Sequence, residues 1–155
     1  MAKKEKAKET EEILEEKEEV KTEEATAEAS EDKTAELDSD YGHLVLLAKN
    51  ETGYKNLIKL VSIGFTDGFY YKPRIDLNVL KKYSDGLIAL SACLAGDVPK
   101  RLVRDDYEGA KKKAKEYLDI FGKENYFIEL QNHGIEEQLK INPLLLKLAD
   151  ELDIE

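Results

Sequence analysis

The chain has 155 residues, and its 24 Lys and Arg against 34 Asp and Glu give a formal net charge of −10 at pH 7. This balance argues against duplex binding by the chain itself, because phosphate contacts need clustered Lys and Arg. No apolar stretch approaches the roughly 20 residues of a membrane helix, and no signal-peptide pattern opens the chain. A single unpaired cysteine fits a reducing compartment, so we expect a cytoplasmic protein with no membrane partner.

Composition divides the chain at about residue 36. Residues 1–36 hold 7 Lys and Arg and 14 Asp and Glu, with no aromatic residue, no Gly and no Pro. Such a segment cannot bury enough apolar surface to offset chain entropy, so we predict a disordered, highly charged tail or insertion. Residues 37–155 contain all the Tyr and Phe and are enough for one modest core or for part of a larger one.

The first predicted elements are a strand and two helices. The apolar run at 43–48 has strand length, and Asn50 then begins a helix. Apolar residues recur in this helix at amphipathic spacing and are expected to face the core: Tyr54, Leu57, Ile58, Val61 and Phe65. Asp76 caps a second, short helix.

The remaining elements continue the alternation. Residues 87–92 predict a buried strand, and a turn of helix follows it. A long helix from about 106 to 121 stops at Gly122, and a third strand covers 125–130. The apolar positions of the long helix are Tyr107, Ala110, Ala114, Tyr117, Leu118 and Phe121. A last helical pattern runs to Leu152, and Pro143 is expected to restart or kink it. This order is typical of an α/β fold with a parallel sheet, and three strands are too few to close a barrel.

The residues with metal-binding or catalytic chemistry lie near strand ends. Cys93 follows the second strand, His43 opens the first, and Glu129 and His133 come at the end of the third. Imidazole, thiolate and carboxylate groups together suit Zn²⁺ or a similar transition metal. None has a close partner at metal-motif spacing, so other roles stay open: a small buried hydrophobe for Cys93, a strand cap for His43 and a loop residue for His133.

Four phrases, at residues 43–57, 68–76, 86–96 and 128–134, closely resemble one family. It is the polymerase-and-histidinol-phosphatase (PHP) domain at the start of the bacterial DNA polymerase III alpha subunit. The resemblance implies a distorted, TIM-like barrel with parallel strands and flanking helices, of which residues 37–155 would be the central part. It also implies that His43 and Cys93 are metal ligands, and we add Arg74, Glu129 and His133 as candidate site-lining residues.

The family's other ligand motifs are not found in this sequence. A His-x-His pair, an Asp-His pair and a Glu are expected before Thr34, where residues 1–36 contain no His, and an Asp-x-His is expected beyond Glu155. We therefore expect a partial fragment, from a gene fragment, a split gene or an engineered piece, that is inactive alone.

The activity that the resemblance implies is that of the parent subunit, a DNA-directed DNA polymerase and nucleotidyltransferase of chromosome replication that uses Mg²⁺. The intact PHP domain would bind zinc or another divalent metal and could act as a 3′–5′ exonuclease or phosphoesterase. Its partners would be the rest of the alpha subunit, primer-template DNA and the replisome subunits.

Two alternatives remain at this point. One is a free-standing small metallophosphoesterase that uses His43, Cys93, Glu129 and His133. The other is a non-catalytic interaction module in which the acidic tail is a disordered binding segment on an α/β body.

Overall fold

Three short strands and five helices make up the computed structural model, which describes Tyr41–Glu155; the predicted tail at 1–36 lies outside the described residues. The fold is mixed α/β, as the sequence predicts. In chain order, the elements are β1 (Val45–Ala48), α1 (Glu51–Thr66), α2 (Leu77–Lys82), β2 (Leu87–Leu90), α3 (Asp97–Val103), α4 (Tyr107–Phe121), β3 (Tyr126–Phe127) and α5 (Glu136–Leu152). No helix within 41–155 is long and apolar enough to cross a bilayer.

The strands form one sheet in the order β1–β2–β3. β2 and β3 are parallel, as predicted, with Ala89 opposite Tyr126. β1 and β2 are antiparallel, with Val45 opposite Leu90, so the prediction of an all-parallel sheet is wrong for β1. β3 is also shorter than the strand predicted at 125–130.

The path between β1 and β2 explains their antiparallel pairing, because it contains two helices instead of one. After α1 the chain folds back so closely that a Cβ on Gly68 would lie 1.9 Å from the Arg74 carbonyl oxygen. α2 then returns toward the end of β1, where the Lys49 amide donates to the Gly86 carbonyl oxygen at 2.8 Å. β2 therefore begins beside the residue at which β1 ends, and it must run the opposite way.

Local signals set most helix ends. The side chains of Asn50, Asp76 and Asp106 each accept a hydrogen bond from the backbone amide three residues on, which satisfies one free amide of the first turn. Gly122 ends α4 with a φ of +77°, a conformation that glycine adopts without strain. α5 runs through Pro143 without a break, so the predicted restart at that residue is wrong.

The buried face of α1 differs from the predicted one at four of its five residues, and the fifth, Leu57, is half-buried against the core. Four apolar residues of the predicted core face are 48–59% exposed: Tyr54, Ile58, Val61 and Phe65. The buried positions are instead Gly53, Asn56, Leu60 and Gly64. A Cβ on Gly53 would lie 1.8 Å from the Gly86 carbonyl oxygen, and Asn56 Nδ2 donates to the Asp85 carbonyl oxygen at 2.9 Å. Close backbone packing and a hydrogen bond thus decide the orientation, against the hydrophobic pattern.

The core lies where β2 and β3 meet α3, α4 and α5. Its residues are apolar side chains that these elements share, and in α4 they match the predicted face. Its members in these elements include Leu87, Val98, Leu102, Tyr117, Phe121, Tyr126, Ile141, Leu145 and Leu148. This packing fixes the loop between β2 and α3, which carries Cys93.

Candidate metal centre

The loop at 91–96 leaves β2 and carries the single thiol. Ala92, immediately before Cys93, has a φ of +65°, a conformation that strains any residue with a Cβ. The Gly96 amide donates to the Cys93 carbonyl oxygen at 2.7 Å and closes the loop on itself. The Ser91 hydroxyl oxygen accepts from the Glu129 amide at 2.8 Å, so the loop is also tied to the segment after β3.

The structure brings His43 to this loop. The His43 amide donates to the Ala95 carbonyl oxygen at 2.9 Å, and its imidazole Nδ1 lies 3.6 Å from Cys93 Sγ. The antiparallel pairing makes this contact, because the start of β1 then lies beside the end of β2. In a parallel pair the two residues would lie at opposite ends of four-residue strands, roughly 13 Å apart at the usual rise per residue.

The spacing of the two donor atoms fits a metal site. Tetrahedral zinc holds sulfur at about 2.3 Å and nitrogen at about 2.0–2.1 Å, which places two such ligands about 3.6 Å apart. His43 Nδ1 and Cys93 Sγ have this separation, which a thiol–imidazole hydrogen bond would also allow. Within 41–155, no group of three or more His, Cys, Asp and Glu could hold a metal ion. The described residues therefore offer two donor atoms at a suitable spacing and no third donor beside them.

Glu129 lies near the thiol but does not form a three-residue metal-binding group with His43 and Cys93. It lines a cavity of about 10 Å³ together with Cys93 and the amides of Gln131, Gln138 and Asn142. One carboxylate oxygen, Oε1, accepts from Gln131 Nε2 at 2.6 Å. The other, Oε2, is buried with no hydrogen-bond partner in the described part of the chain. A buried carboxylate oxygen needs a polar partner, and the cavity has room for about one water molecule.

His133 is held away from the pair. It is exposed in a turn beside Gly134, and its amide donates to Gln138 Oε1 at 2.8 Å. Its imidazole Nδ1 lies 3.2 Å from Gln138 Nε2. These contacts fasten His133 to the first turn of α5, whereas His43 contacts the β2–α3 loop.

Arg74 belongs to another cluster, between α1 and α2. Its guanidinium carbon lies 5.1 Å from the ring centroids of both Tyr41 and Tyr70, a cation–π arrangement. One guanidinium nitrogen donates to the Tyr70 carbonyl oxygen at 2.5 Å. None of these contacts is with His43 or Cys93.

Two polar residues near the pair were missed by the sequence analysis. Tyr117, counted there as an apolar position of α4, donates from its hydroxyl to Asp97 Oδ2 at 2.5 Å. Burial, and then the nearby charge of Asp97, raise the pKa of Tyr117 above its usual value. The one available signal was an acidic residue at the start of a helix directly after Gly96.

A mixed α/β domain with metal-type donors at a strand end is the class of protein that these features define. The chain belongs to the PHP domain family, whose match covers residues 6–133. This confirms the resemblance described above, and the matched region includes most of the acidic segment at 1–36.

Similar proteins narrow the family further, because three of them carry the same name. The DNA polymerase III subunit alpha of Treponema pallidum is 49% identical over 114 residues, 74% of this chain and 10% of the relative. That of Borreliella burgdorferi is 48% identical over 112 residues, covering 72% and 10%. That of Thermus aquaticus is 48% identical over 113 residues, covering 73% and 9%. The chain thus spans about a tenth of the length of the curated relatives it matches.

Proposed function

We propose that this chain is part of the PHP domain of a bacterial DNA polymerase III alpha subunit, and that His43 and Cys93 are ligands of its metal cluster. The 3.6 Å between His43 Nδ1 and Cys93 Sγ carries the second half of this proposal. The names of the relatives and the small share of their length that aligns support the first half.

The same proposal covers the fold of the intact domain, a distorted TIM-like barrel. Within 41–155, β1 and β3 are the edges of the sheet and each pairs on one side only. The outward side chains Val45 and Leu47 of β1 are apolar and exposed. Unpaired edges and exposed apolar side chains are features that further strands and helices would cover.

The metal, zinc or another divalent ion, would supply water activation and stabilisation of phosphate charge for phosphoester or 3′-end cleavage. His43 and Cys93 would hold it, with Glu129 beside the thiol. Arg74 and His133 would line the site only in the intact domain, because neither contacts the pair in this chain. Two donors are fewer than the three protein ligands that a catalytic zinc site keeps. The chain alone is therefore expected to bind metal weakly and to hydrolyse no phosphoester.

The wider roles belong to the parent subunit. Mg²⁺-dependent nucleotidyl transfer in DNA replication would lie in other parts of that subunit. The partners of this chain would be the rest of the alpha subunit, primer-template DNA and replisome subunits, in the cytoplasm. The net charge of −10 supports indirect engagement of DNA, since the chain offers few phosphate contacts of its own.

Cobalt titration of the 155-residue chain tests the ligand assignment. Co²⁺ bound by a thiolate gives a charge-transfer absorption band that a free thiol lacks. We expect a weak, saturable band that His43→Ala and Cys93→Ser each abolish. His133→Ala is the matched control and keeps the band, because His133 contacts α5. A wild-type chain without the band, or equal loss in all three variants, would refute the assignment.

An activity assay separates the partial domain from a free-standing phosphoesterase. We expect no turnover of p-nitrophenyl phosphate or of a 3′-labelled primer with Zn²⁺, Mn²⁺ or Mg²⁺. Turnover that both His43→Ala and Cys93→Ala abolish would show that the chain is an independent metallophosphoesterase and would overturn the partial-domain proposal.

A further inference from the structure

A part-buried hydrogen bond lies next to the loop that carries Cys93. Tyr117, on α4, is 5% exposed, and its hydroxyl donates to Asp97 Oδ2 at 2.5 Å. Asp97 is the first residue of α3 and comes directly after the loop that carries Cys93. The hydrogen bond therefore joins α4, a core helix, to the end of the thiol loop.

The other oxygen of the Asp97 carboxylate faces the segment just before β1, which carries the imidazole. A Cβ on Gly42 would lie 2.0 Å from Asp97 Oδ1, so the carboxylate packs directly against the backbone of this glycine. Gly42 precedes His43, which forms a backbone bridge with Gly96. Asp97 thus contacts the chain one residue from the imidazole, and it follows the glycine that His43 pairs with.

We infer that Asp97 and Tyr117 are positioning residues that set the distance between His43 Nδ1 and Cys93 Sγ, an inference that rests on the proposed role of the pair as metal ligands. The Tyr117 hydroxyl fixes the position of the Asp97 carboxylate, and the carboxylate in turn holds the Gly42–His43 backbone against the loop. Within 41–155, Asp97 forms no three-residue metal-binding group with His43 and Cys93. Asp97 and Tyr117 act as outer groups that orient ligands, and loss of such groups commonly lowers metal affinity about 10–100-fold.

The core offers a matched control. Tyr126 is fully buried and its ring centroid lies 5.6 Å from that of Tyr117, yet its hydroxyl has no hydrogen-bond partner within 41–155. Tyr117→Phe and Tyr126→Phe each remove one buried hydroxyl from the same aromatic pair. Only the first removes the hydrogen bond to Asp97.

The first test needs no metal. The chain has one cysteine, so the alkylation rate of the thiol reports a single position, and its two histidines give two sets of imidazole NMR signals that the loss of one set in His133→Ala assigns. In the 155-residue chain, we expect Tyr117→Phe to shift the His43 signals and change the Cys93 alkylation rate about threefold or more, and to leave the His133 signals in place. Tyr126→Phe is expected to leave all three unchanged. Equal effects of both substitutions, or no effect of Tyr117→Phe, would overturn the inference.

A second pair of variants keeps the test decisive if Tyr117→Phe fails to fold. Asp97→Asn retains a side-chain oxygen that can accept from the tyrosine, whereas Asp97→Ala does not. We expect the His43 and Cys93 readouts to stay near wild type in Asp97→Asn and to change in Asp97→Ala. Identical readouts in the two variants would contradict a positioning role.

The same variants also test metal binding. Co²⁺ affinity is expected to fall about tenfold or more in Tyr117→Phe and to stay within about twofold in Tyr126→Phe. A wild-type chain that binds no Co²⁺ would refute the proposed function, while the metal-free NMR and alkylation results would still decide whether Asp97 and Tyr117 position the pair.

Discussion

The Gly96 amide donates to the Cys93 carbonyl oxygen at 2.7 Å, and the same glycine has no room for a side chain. A Cβ at Gly96 would lie 2.2 Å from the Ser91 carbonyl oxygen. The thiol loop is thus closed by a backbone contact that any side chain at this position would push apart.

Replacement of this glycine by alanine should open the loop. We expect Gly96→Ala to lower the free energy of unfolding by about 2 kcal/mol or more, because the clash is with backbone and cannot be relieved by a rotamer change. Gly134→Ala is the comparison: its φ is +75° but nothing lies within 4 Å of the added Cβ. It should lose about 1 kcal/mol from backbone strain alone. Urea unfolding measures both, and a larger loss for Gly134→Ala would contradict the predicted clash.

The backbone strain before the thiol gives a prediction of opposite sign. Ala92 has a φ of +65°, so glycine at this position should relieve about 1 kcal/mol of strain. We expect Ala92→Gly to be neutral or stabilising by up to about that amount. Ala89→Gly makes the same substitution at a fully buried residue of β2 and should be destabilising. Thermal melts compare the two, and the prediction fails if both lose stability equally.

The orientation of α1 can be tested by truncating two of its residues that lie two positions apart in sequence but differ in burial. Leu60 is 2% exposed and Ile58 is 48% exposed. Leu60→Ala should cost about 2–5 kcal/mol of unfolding free energy, because it leaves a cavity in the core. Ile58→Ala should change it by about 0.5 kcal/mol or less. Chemical denaturation that gave the reverse order would restore the amphipathic face that the sequence predicted.

The buried tyrosines predict a loss of stability at alkaline pH. Burial, followed by the charge of Asp97, raises the pKa of both Tyr117 and Tyr126 in the folded chain. In the unfolded chain both ionise near the ordinary value of about 10. Their contribution is therefore intact below about pH 10 and is lost as the pH rises further, because only the unfolded state then releases the protons.

The measurement is the urea midpoint between about pH 9 and 11.5, with tyrosinate absorbance followed in parallel. The midpoint should fall over this range, and the two buried phenols should ionise together with unfolding. Tyr126→Phe should reduce the slope of the decline, because one of the two groups is gone. A midpoint that did not change with pH would show that these phenols ionise freely in the folded chain.

Sequence patterns predicted the parts of this fold that local chemistry controls. Asn50, Asp76 and Gly122 mark helix ends correctly, since a cap needs only a few neighbouring residues. The direction of β1 depends on where the chain returns after α1, which no local pattern records. The face of α1 was wrong because the contact between Gly53 and Gly86 joins residues far apart in sequence.

The candidate site was likewise predictable only where local patterns mark it. The position of Cys93 after a strand made it a candidate from the sequence, and the family resemblance supplied His43 as its partner. Their approach depends on the antiparallel pairing, which was not predicted. Asp97 and Tyr117 were missed because their hydrogen bond joins residues of two different helices that are 20 positions apart in the chain.

The meeting of His43 with Cys93 also has a consequence for folding order. The two residues are 50 positions apart, and the whole excursion through α1 and α2 lies between them. Closing such a loop costs chain entropy before the contact can stabilise the fold, and chains dominated by distant contacts fold slowly. We expect the imidazole and the thiol to come together only once the β1–β2 ladder is complete. Until then the thiol lacks its imidazole neighbour, so the time course of the Cys93 alkylation rate during refolding would report when the β1–β2 ladder forms.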